Sequence, residues 1–200
     1  MASQPFEIIV APFDVYVAAV GSSFPDLVDT PSSPWVKIGS NGSKNYDESG
    51  VTVSHTQTIA QIRTLGATGP VKAVRSAEDL IISFVLFDLL LADYTRIINN
   101  ASVSTTSPGS GTAGYKDIDL IRGLDVARVA LLVKAAASPE GDTWSMQYQV
   151  PIVYASGSPA PVFVKGAAAG LAFEYTALED LTASSGEEFG KLLEQDANAS

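Results

Sequence analysis

The sequence predicts a mainly β fold with a single helix and extended loops. Runs of β-branched and aromatic residues recur along the chain, and clusters of glycine, proline and serine separate them. Only one segment repeats apolar residues convincingly at helical spacing. The chain has 200 residues, 46% of them hydrophobic and none of them cysteine, so it can bury a core without a disulfide or a thiolate metal site.

The first fifty residues predict short strands separated by irregular segments. Residues 6–10 and 13–20 are β-branched and aromatic runs, which predict two strands. Residues 21–34 contain three prolines and four serines and predict an extended arm or loop. A short strand is predicted over 35–38, and the polar, glycine-containing segment 40–50 predicts a protruding loop.

The strand predicted over residues 51–63 has two contrasting faces. One face carries Val51, Val53, His55, Gln57 and Ile59. The other is small, polar and uncharged at four successive positions: Thr52, Ser54, Thr56 and Thr58. Such a face suits a water-filled lumen or a polar interface, and it equally suits a threonine-rich face in solvent, so both interpretations stay open.

A second informative strand is predicted over residues 79–87, after a shorter one over 71–75. It is apolar on both faces, which indicates a strand covered on both sides. A helix over 89–98, with Asp88 as N-cap and a stop at Asn99, is predicted to provide part of that cover. The residues expected to pack between strand and helix are Leu80, Ile82, Phe84, Leu86, Leu90, Tyr94 and Ile97.

The second half of the chain again predicts strands. Residues 101–114 are rich in serine, threonine and glycine and predict a flexible loop. Strands are predicted over the segments 115–121, 127–136, 143–154 and 171–177. The last segment, 186–200, reads as an acidic tail that forms a short helix through Phe189, Leu192 and Leu193.

The charge balance weighs against a protein that grips nucleic acid. Twelve basic residues stand against 22 acidic ones, for a net charge of −10, and no window is basic. Tight binding to phosphates needs clustered Lys and Arg, so only a surface that DNA slides past is compatible. The N-terminus lacks the pattern of a signal peptide, and the longest apolar run, 80–92, is interrupted by Ser83 and Asp88, so no membrane insertion is expected.

The motifs that could carry chemistry do not meet its requirements. Residues 109–114 spell G-x-G-x-x-G, but a serine-rich loop precedes them and a strand pattern follows, so they read as loop glycines. His55, the only histidine, reads as a structural or interface residue. Asp117 and Asp119 share a strand face and read as solvated charges. We expect no enzyme activity, no cofactor and no metal.

The order of these segments resembles the major tail tube proteins of long-tailed, siphovirus-type bacteriophages. Ala11-Pro12-Phe13-Asp14-Val15-Tyr16-Val17-Ala18 resembles the opening of that family, and Tyr46-Asp47-Glu48-Ser49-Gly50-Val51-Thr52-Val53 its loop and long hairpin strand. The other matching runs are Trp35 to Gly39, Gly69 to Lys72, Arg75 to Asp79, Phe84 to Asp88 and Lys165 to Asp180. The likeness covers roughly residues 6–182.

This resemblance implies a β-sandwich or β-barrel with a flanking helix over residues 1–182. The acidic tail over 183–200 has no counterpart in the resemblance. It implies six copies per ring and rings stacked into a tube, with one sheet of each copy joining a continuous barrel around a DNA channel. The expected location is the virion tail, after assembly in the host cytoplasm. The expected partners are further copies of the chain, the tape measure, tail terminator and distal tail proteins, and double-stranded DNA in transit.

Combining the resemblance with the residues assigns two candidate surfaces. The uncharged face Thr52, Ser54, Thr56 and Thr58 is expected to line the lumen. The loops and the 21–34 arm are expected to connect stacked rings, with candidate residues Asn41, Gly42, Lys44, Tyr46, Asp47, Ser107, Gly109 and Gly111. Two other functions compete: a tail terminator or baseplate-proximal ring, and a β-sandwich adhesin or carbohydrate-binding module, which would require Trp35 and Trp144 on one exposed face.

Overall fold

A computed structural model describes residues 9, 11–39, 45–99, 102–141 and 143–196. As the sequence predicts, the chain is mainly β, with a large antiparallel sheet, one helix and a β-sandwich-like arrangement. The elements are β1 (Asp14–Ala19), β2 (Val36–Lys37), β3 (Thr52–Ile62), β4 (Lys72–Leu86), α1 (Leu91–Ile97), β5 (Ser104–Thr106), β6 (Tyr115–Asp117), β7 (Arg128–Ala135), β8 (Met146–Ala155), β9 (Leu171–Ala177) and β10 (Lys191–Glu194).

The strand order of the main sheet is β2-β1-β7-β8-β9-β4-β3, and β10 pairs with β8 in addition. β8 therefore has two partners on one edge: its first four residues pair with β10 and its last three with β9. Pro151 lies between these two stretches, where Pro151 and Ile152 stand opposite Ala130 of β7. Proline lacks a backbone N–H and is tolerated in such a bulge, so β8 changes partner there without losing a buried donor.

The core is built mainly by alternate residues of β4 and β9. Leu80, Ile82, Phe84 and Leu86 are all buried and pack with Phe173 and other core residues. The rings of Phe84 and Phe173 stack at 4.8 Å with an interplanar angle of 6°. Side chains of β1 and β7 join the same cluster, so both ends of the strand order enclose one core.

The segment 21–34 is irregular, as predicted, and it lies against the chain's own sheet. Phe24 and Trp35 pack at 5.0 Å over the second face of β1 and β7. The Lys134 ammonium donates to the carbonyl oxygens of Leu27, at 2.6 Å, and Asp29, at 2.7 Å. These contacts fix the middle of the segment to β7.

The predicted strands 71–75 and 79–87 form one 15-residue strand, β4. The polar residues between them continue the ladder because β3 pairs with β4 from Thr52↔Ser83 to Ile62↔Lys72, with one irregularity at Thr58/Ile59. The outer face of β4 is half-buried at Ile81 and Val85, and Phe87, directly after the strand, is exposed. The strand that was expected to be covered on both faces is therefore only partly covered on the outer one. Ile97 of α1 instead joins the core.

The helix is shorter than predicted, and its start differs. It begins at Leu91, the N-cap residue is Leu90 in an extended conformation, and no side chain caps it. The predicted cap, Asp88, is wrong, because it lies two residues before the N-cap position, and its carboxylate accepts a hydrogen bond from the Asn45 amide at 3.0 Å. Leu90 precedes the helix and is 41% exposed, so it does not pack as expected. The helix ends at Ile97, with Ile98 as its C-cap, and Asn99, the predicted stop, follows directly with a φ of 72°.

Two segments predicted as loop or helix are strands. The expected flexible loop 101–114 contains β5, which pairs with β6, and residues 109–112 close the turn between them. The short helix expected within 186–200 is wrong, because residues 191–194 form β10 along β8. Periodicity alone could not reveal this, since the strand is stabilised by a backbone edge far away in sequence. The predicted strand 6–10 lies outside the described residues except for Ile9.

Candidate assembly surface

The distal half of the β3–β4 hairpin projects from the sheet as a two-stranded ribbon. β9 pairs with β4 only over residues 81–86, so within the described chain the ribbon strands have only each other. From Leu80 to Lys72 the ribbon extends about 27 Å at 3.4 Å per residue. Nearly all of its side chains are exposed on both faces. The ribbon therefore lacks the packing on either face that the rest of the sheet has, and its stability depends on the β3–β4 ladder and on its continuity with the sheet.

The four predicted lumen residues lie together on one face of this hairpin. Directly paired residues of antiparallel strands share a face, and Thr52, Ser54, Thr56 and Thr58 pair with Ser83, Ile81, Asp79 and Ala77. Glu174 of β9 pairs with Ser83 and joins the same face. Neither residues 77–85 nor β9 contain Lys or Arg, so this part of the face carries hydroxyls and two carboxylates. Ser54 is half-buried and the three threonines are exposed.

The opposite face of the ribbon carries a polar network that sequence reasoning did not find. The Glu78 carboxylate contacts His55 Nε2 at 2.6 Å and accepts a hydrogen bond from Arg75 at 2.9 Å. Arg75 Nε also donates to the Gln57 side chain at 2.9 Å. His55 therefore bridges the two strands of the ribbon, which agrees with the structural role predicted for it. Only the register of the hairpin brings these residues together, because they are separated by up to 23 positions.

The candidate ring-stacking residues fall into three groups. Asn41, Gly42 and Lys44 lie outside the described residues. Tyr46 is an internal residue: its hydroxyl donates to the Ile38 carbonyl at 2.8 Å, and its ring packs on Phe84 at 5.4 Å. Tyr46 is half-buried, burial raises its pKa, and its hydroxyl and ring are engaged within the chain, so the structure does not support the stacking assignment for Tyr46. The third group faces solvent: Asp47 is half-buried, and Ser107, Gly109 and Gly111 are exposed.

Asp47 accepts hydrogen bonds from the hydroxyl and backbone N–H of Ser49 at 2.6 and 3.0 Å. The Ser49 hydroxyl is the main cause that lowers the pKa of this carboxyl. Asp47 therefore stabilises the turn that leads into β3 as well as facing solvent. Ser107, Gly109 and Gly111 occupy the turn of the β5–β6 ribbon, whose strands are exposed on both faces. The chain thus projects two ribbons rather than one ribbon and one flexible loop.

Large apolar side chains are exposed in three separate segments. The β3–β4 hairpin exposes five of them, the segment 120–126 four and the segment 162–164 three. They are Ile59, Ile62, Leu65, Val71, Val74, Leu120, Ile121, Leu124, Val126, Val162, Phe163 and Val164. Single exposed apolar residues are ordinary, but clusters mark interaction sites. These three clusters are therefore candidate interaction surfaces.

The remaining candidates support no catalytic or metal site. Residues 109–114 form the β5–β6 turn, with no helix following them, so the phosphate-binding context is missing. Among the described residues no group of three or more His, Cys, Asp or Glu is placed to hold a metal ion. Trp35 is buried and its indole N–H donates to the Ser23 carbonyl at 2.9 Å. The two tryptophans therefore do not form an exposed aromatic platform.

No protein-family model matches the chain, and no curated protein matches it. No helix in the described part of the chain has the length and apolar character needed to cross a membrane.

Proposed function

We propose that this protein is a structural virion protein that assembles as stacked hexameric rings into the tail tube of a long-tailed bacteriophage. The tube forms the channel through which DNA is ejected into the host. The observation that carries the proposal is the β3–β4 hairpin. Its distal ribbon leaves the sheet and exposes both faces, and one face of the hairpin presents the hydroxyls of Thr52, Ser54, Thr56 and Thr58 beside the Asp79 carboxylate. The sixfold ring and its stacking rest on the family resemblance.

The ribbon supports assembly through its free edge. Within the described residues no strand pairs with the second edge of β3. An 11-residue exposed edge is a liability for a monomer because it invites pairing with other chains. Pairing with a neighbouring copy removes that edge and buries the apolar residues of the ribbon, such as Ile59 and Val74. A ring of copies would therefore pair the edge of β3 that a single copy leaves unpaired.

The hydroxyl face supports passage of DNA without capture. The hydroxyls of Thr52, Thr56 and Thr58 can form hydrogen bonds with a passing phosphate or with its water. They do not hold the phosphate, because a hydroxyl carries no charge. Asp79 and Glu174 on the same face repel phosphates weakly. Lysine or arginine at these positions would release counterions from the DNA and retain it. We therefore assign the four residues from Thr52 to Thr58 to the lumen wall.

Another ring component of the tail, a terminator or a baseplate-proximal protein, is the second candidate, because the same free edge suits a single ring. The adhesin or carbohydrate-binding candidate loses support, because Trp35 is buried against Phe24. We propose no enzyme activity. The proposed partners are copies of the chain and the tape measure, terminator and distal tail proteins.

Negative-stain electron microscopy of the purified protein over a concentration series tests this function. Hollow tubes of stacked rings are the expected result. Single rings at every concentration would instead favour the terminator or baseplate role. A monomer at every concentration would overturn both candidates.

The lumen assignment is tested by the double substitution Thr56→Arg and Thr58→Arg. Tubes should still form, and they should retain double-stranded DNA at low salt and release it as salt rises, because each phosphate contact adds to the salt dependence. The measurement is DNA co-sedimentation with tubes, followed by ejection rate in particles. Gln61→Arg is the matched control, since it is exposed on the same strand and lies on the opposite face. Equal retention by both variants would contradict the assignment.

A further inference from the structure

The far end of the β3–β4 ribbon is both basic and apolar. This ribbon tip, residues 59–75, contains three basic residues and no acidic one. Arg63 and Lys72 are exposed, and within the described chain neither forms an ion pair, whereas Arg75 is paired with Glu78. The tip also exposes five large apolar side chains: Ile59, Ile62, Leu65, Val71 and Val74. It is therefore a positively charged surface without a partner, on a chain whose net charge is −10.

A loop of opposite charge follows β9. This acidic loop, residues 178–188, contains four acidic residues and no basic one. Glu179 is exposed and forms no ion pair within the described chain, and Leu181 nearby is 87% exposed. The Asp180 backbone N–H donates to the Glu188 carbonyl at 2.9 Å and closes the loop. The acidic loop therefore has a defined shape before any partner arrives.

A single copy does not bring these two surfaces together. The last pair of β4 with β9 is Ile81↔Thr176, so the acidic loop begins at the base of the ribbon. Lys72 lies about 27 Å along the extended ribbon from Leu80. That separation exceeds the Debye length of about 8 Å at physiological ionic strength, and no hydrogen bond or ion pair in the described residues joins tip and loop. The two complementary surfaces can therefore meet only between copies.

We propose that the ribbon tip of one copy docks on the acidic loop of a second copy. Arg63 and Lys72 then face Glu179 and its acidic neighbours, while apolar side chains of the tip cover Leu181. Such charge complementarity orients partners and excludes wrong ones, because like charges in contact are costly. Tip and loop are different surfaces, so the contact is heterologous and continues from copy to copy into a ring or a filament. The inference rests on the self-assembly in the proposed function and names the surface that receives the ribbon.

Two charge reversals, Lys72→Glu in the tip and Glu179→Lys in the acidic loop, test the docking. Both residues are exposed, so each variant should melt at the wild-type temperature. Each reversal places like charges in contact and should lower the association constant at least about tenfold. Sedimentation velocity over a concentration series measures association, and differential scanning calorimetry measures the melting temperature. Wild-type association of either variant would overturn the docking. Where a reversal lowers the melting temperature, the neutral variant Lys72→Gln or Glu179→Gln replaces it, with a smaller expected loss.

Mixing the two variants is the decisive measurement. In the mixture the reversed tip of Lys72→Glu meets the reversed loop of Glu179→Lys, and the two unaltered surfaces meet each other. Every contact between alternating copies is then complementary again, so the association constant should return to within about threefold of the wild-type value. An undiminished deficit after mixing would mean that the two residues act at separate places, which would overturn the docking.

Glu194→Lys is the matched control, because it makes the same change of charge at an exposed position of β10, outside the acidic loop. It should associate as the wild type does. A loss as large as that of Glu179→Lys would show that total charge rather than docking governs association. If the wild type builds tubes and both reversals do so equally well, the docking is wrong and the proposed function survives. If the wild type itself never associates, both fail.

Double-stranded DNA is the competing occupant of the ribbon tip, because Arg63 and Lys72 also suit phosphates. Fluorescence anisotropy with a labelled DNA duplex should detect no binding by the wild-type monomer at physiological salt. Binding that Lys72→Glu abolishes, together with wild-type association of that variant, would overturn the docking in favour of a nucleic-acid contact.

Discussion

Strand β4 passes through two environments within 15 residues. Between Leu80 and Leu86 every second side chain is buried, and aromatic rings stack on Phe84. Between Lys72 and Asp79 the same strand is exposed on nearly every side chain, although its backbone ladder with β3 continues. The part from Leu80 to Leu86 is stabilised by the core. The part from Lys72 to Asp79 is stabilised by hydrogen bonds and by the polar network around Glu78. The difference teaches that the ribbon is a separately stabilised part of the strand, available for contact with other chains.

The largest effect expected from this comparison follows from truncating the core half. Phe84→Ala should lower the free energy of unfolding by about 3–5 kcal/mol, because it removes a fully packed ring and leaves a cavity. Thr56→Ala, in the ribbon, should change it by less than about 0.5 kcal/mol. Urea denaturation of both variants measures the contrast. Similar losses for the two would show that the ribbon is as well packed as the body.

The next largest effect is expected where β10 pairs with β8 of the main sheet. Gly190 has a φ of 103°, and a Cβ there would overlap the carbonyl oxygen of Gln149 in β8. Gly190→Ala should cost about 1–3 kcal/mol through backbone strain and a displaced β10. Gly66→Ala, at the open ribbon tip, meets nothing within 4 Å and should be neutral or slightly stabilising. Wild-type stability of Gly190→Ala would contradict the docking of β10.

Opposite pH dependences distinguish a buried carboxyl from an exposed one. Burial raises the pKa of Asp93, and Arg96 offsets this only in part. The folded state therefore binds this proton more tightly, and stability falls as pH rises from the ordinary value of 3.8 through the raised folded pKa. Hydrogen bonds from Thr182 lower the pKa of Asp180, so its contribution is present above the unfolded pKa and disappears as pH falls through the folded one.

Urea denaturation between about pH 3 and 7 measures both contributions. Asp93→Asn should remove a decline of stability with rising pH, and Asp180→Asn should remove a rise. A pH-independent difference between the wild type and Asp93→Asn would show that this carboxyl titrates normally in the folded protein.

The smallest effect is expected in the ribbon network. Glu78→Gln removes the ion pair with Arg75 and alters the contact with His55 at the surface, and it should lower global stability by less than about 1 kcal/mol. Amide exchange should nevertheless become faster in residues 72–79, because the network joins the two ribbon strands. Glu187→Gln removes another exposed pair, to Lys191, and should leave ribbon exchange unchanged. Unchanged exchange in Glu78→Gln would mean that the backbone ladder alone holds the ribbon.

The sequence predicted the hydroxyl face of the hairpin better than it predicted the polar network on the opposite face. Alternation in β3 is local, so the shared face of Thr52 and Thr58 follows from a period of two. The network of His55 with Glu78 depends on the register in which β3 and β4 pair, and no local pattern encodes that register.

Composition and local pattern by themselves determined the mainly β class, the inward face from Leu80 to Leu86 and the end of α1 shortly before Asn99, because each depends on residues close in sequence. Tertiary structure alone decided that β4 runs unbroken, that β10 lies along β8 and that Lys134 holds the segment 21–34. These features depend on hydrogen bonds between groups far apart in sequence: backbone ladders for β4 and β10, and the Lys134 ammonium on backbone carbonyls for the segment 21–34. A local pattern leaves such bonds open, since every residue except proline offers the same backbone donor and acceptor.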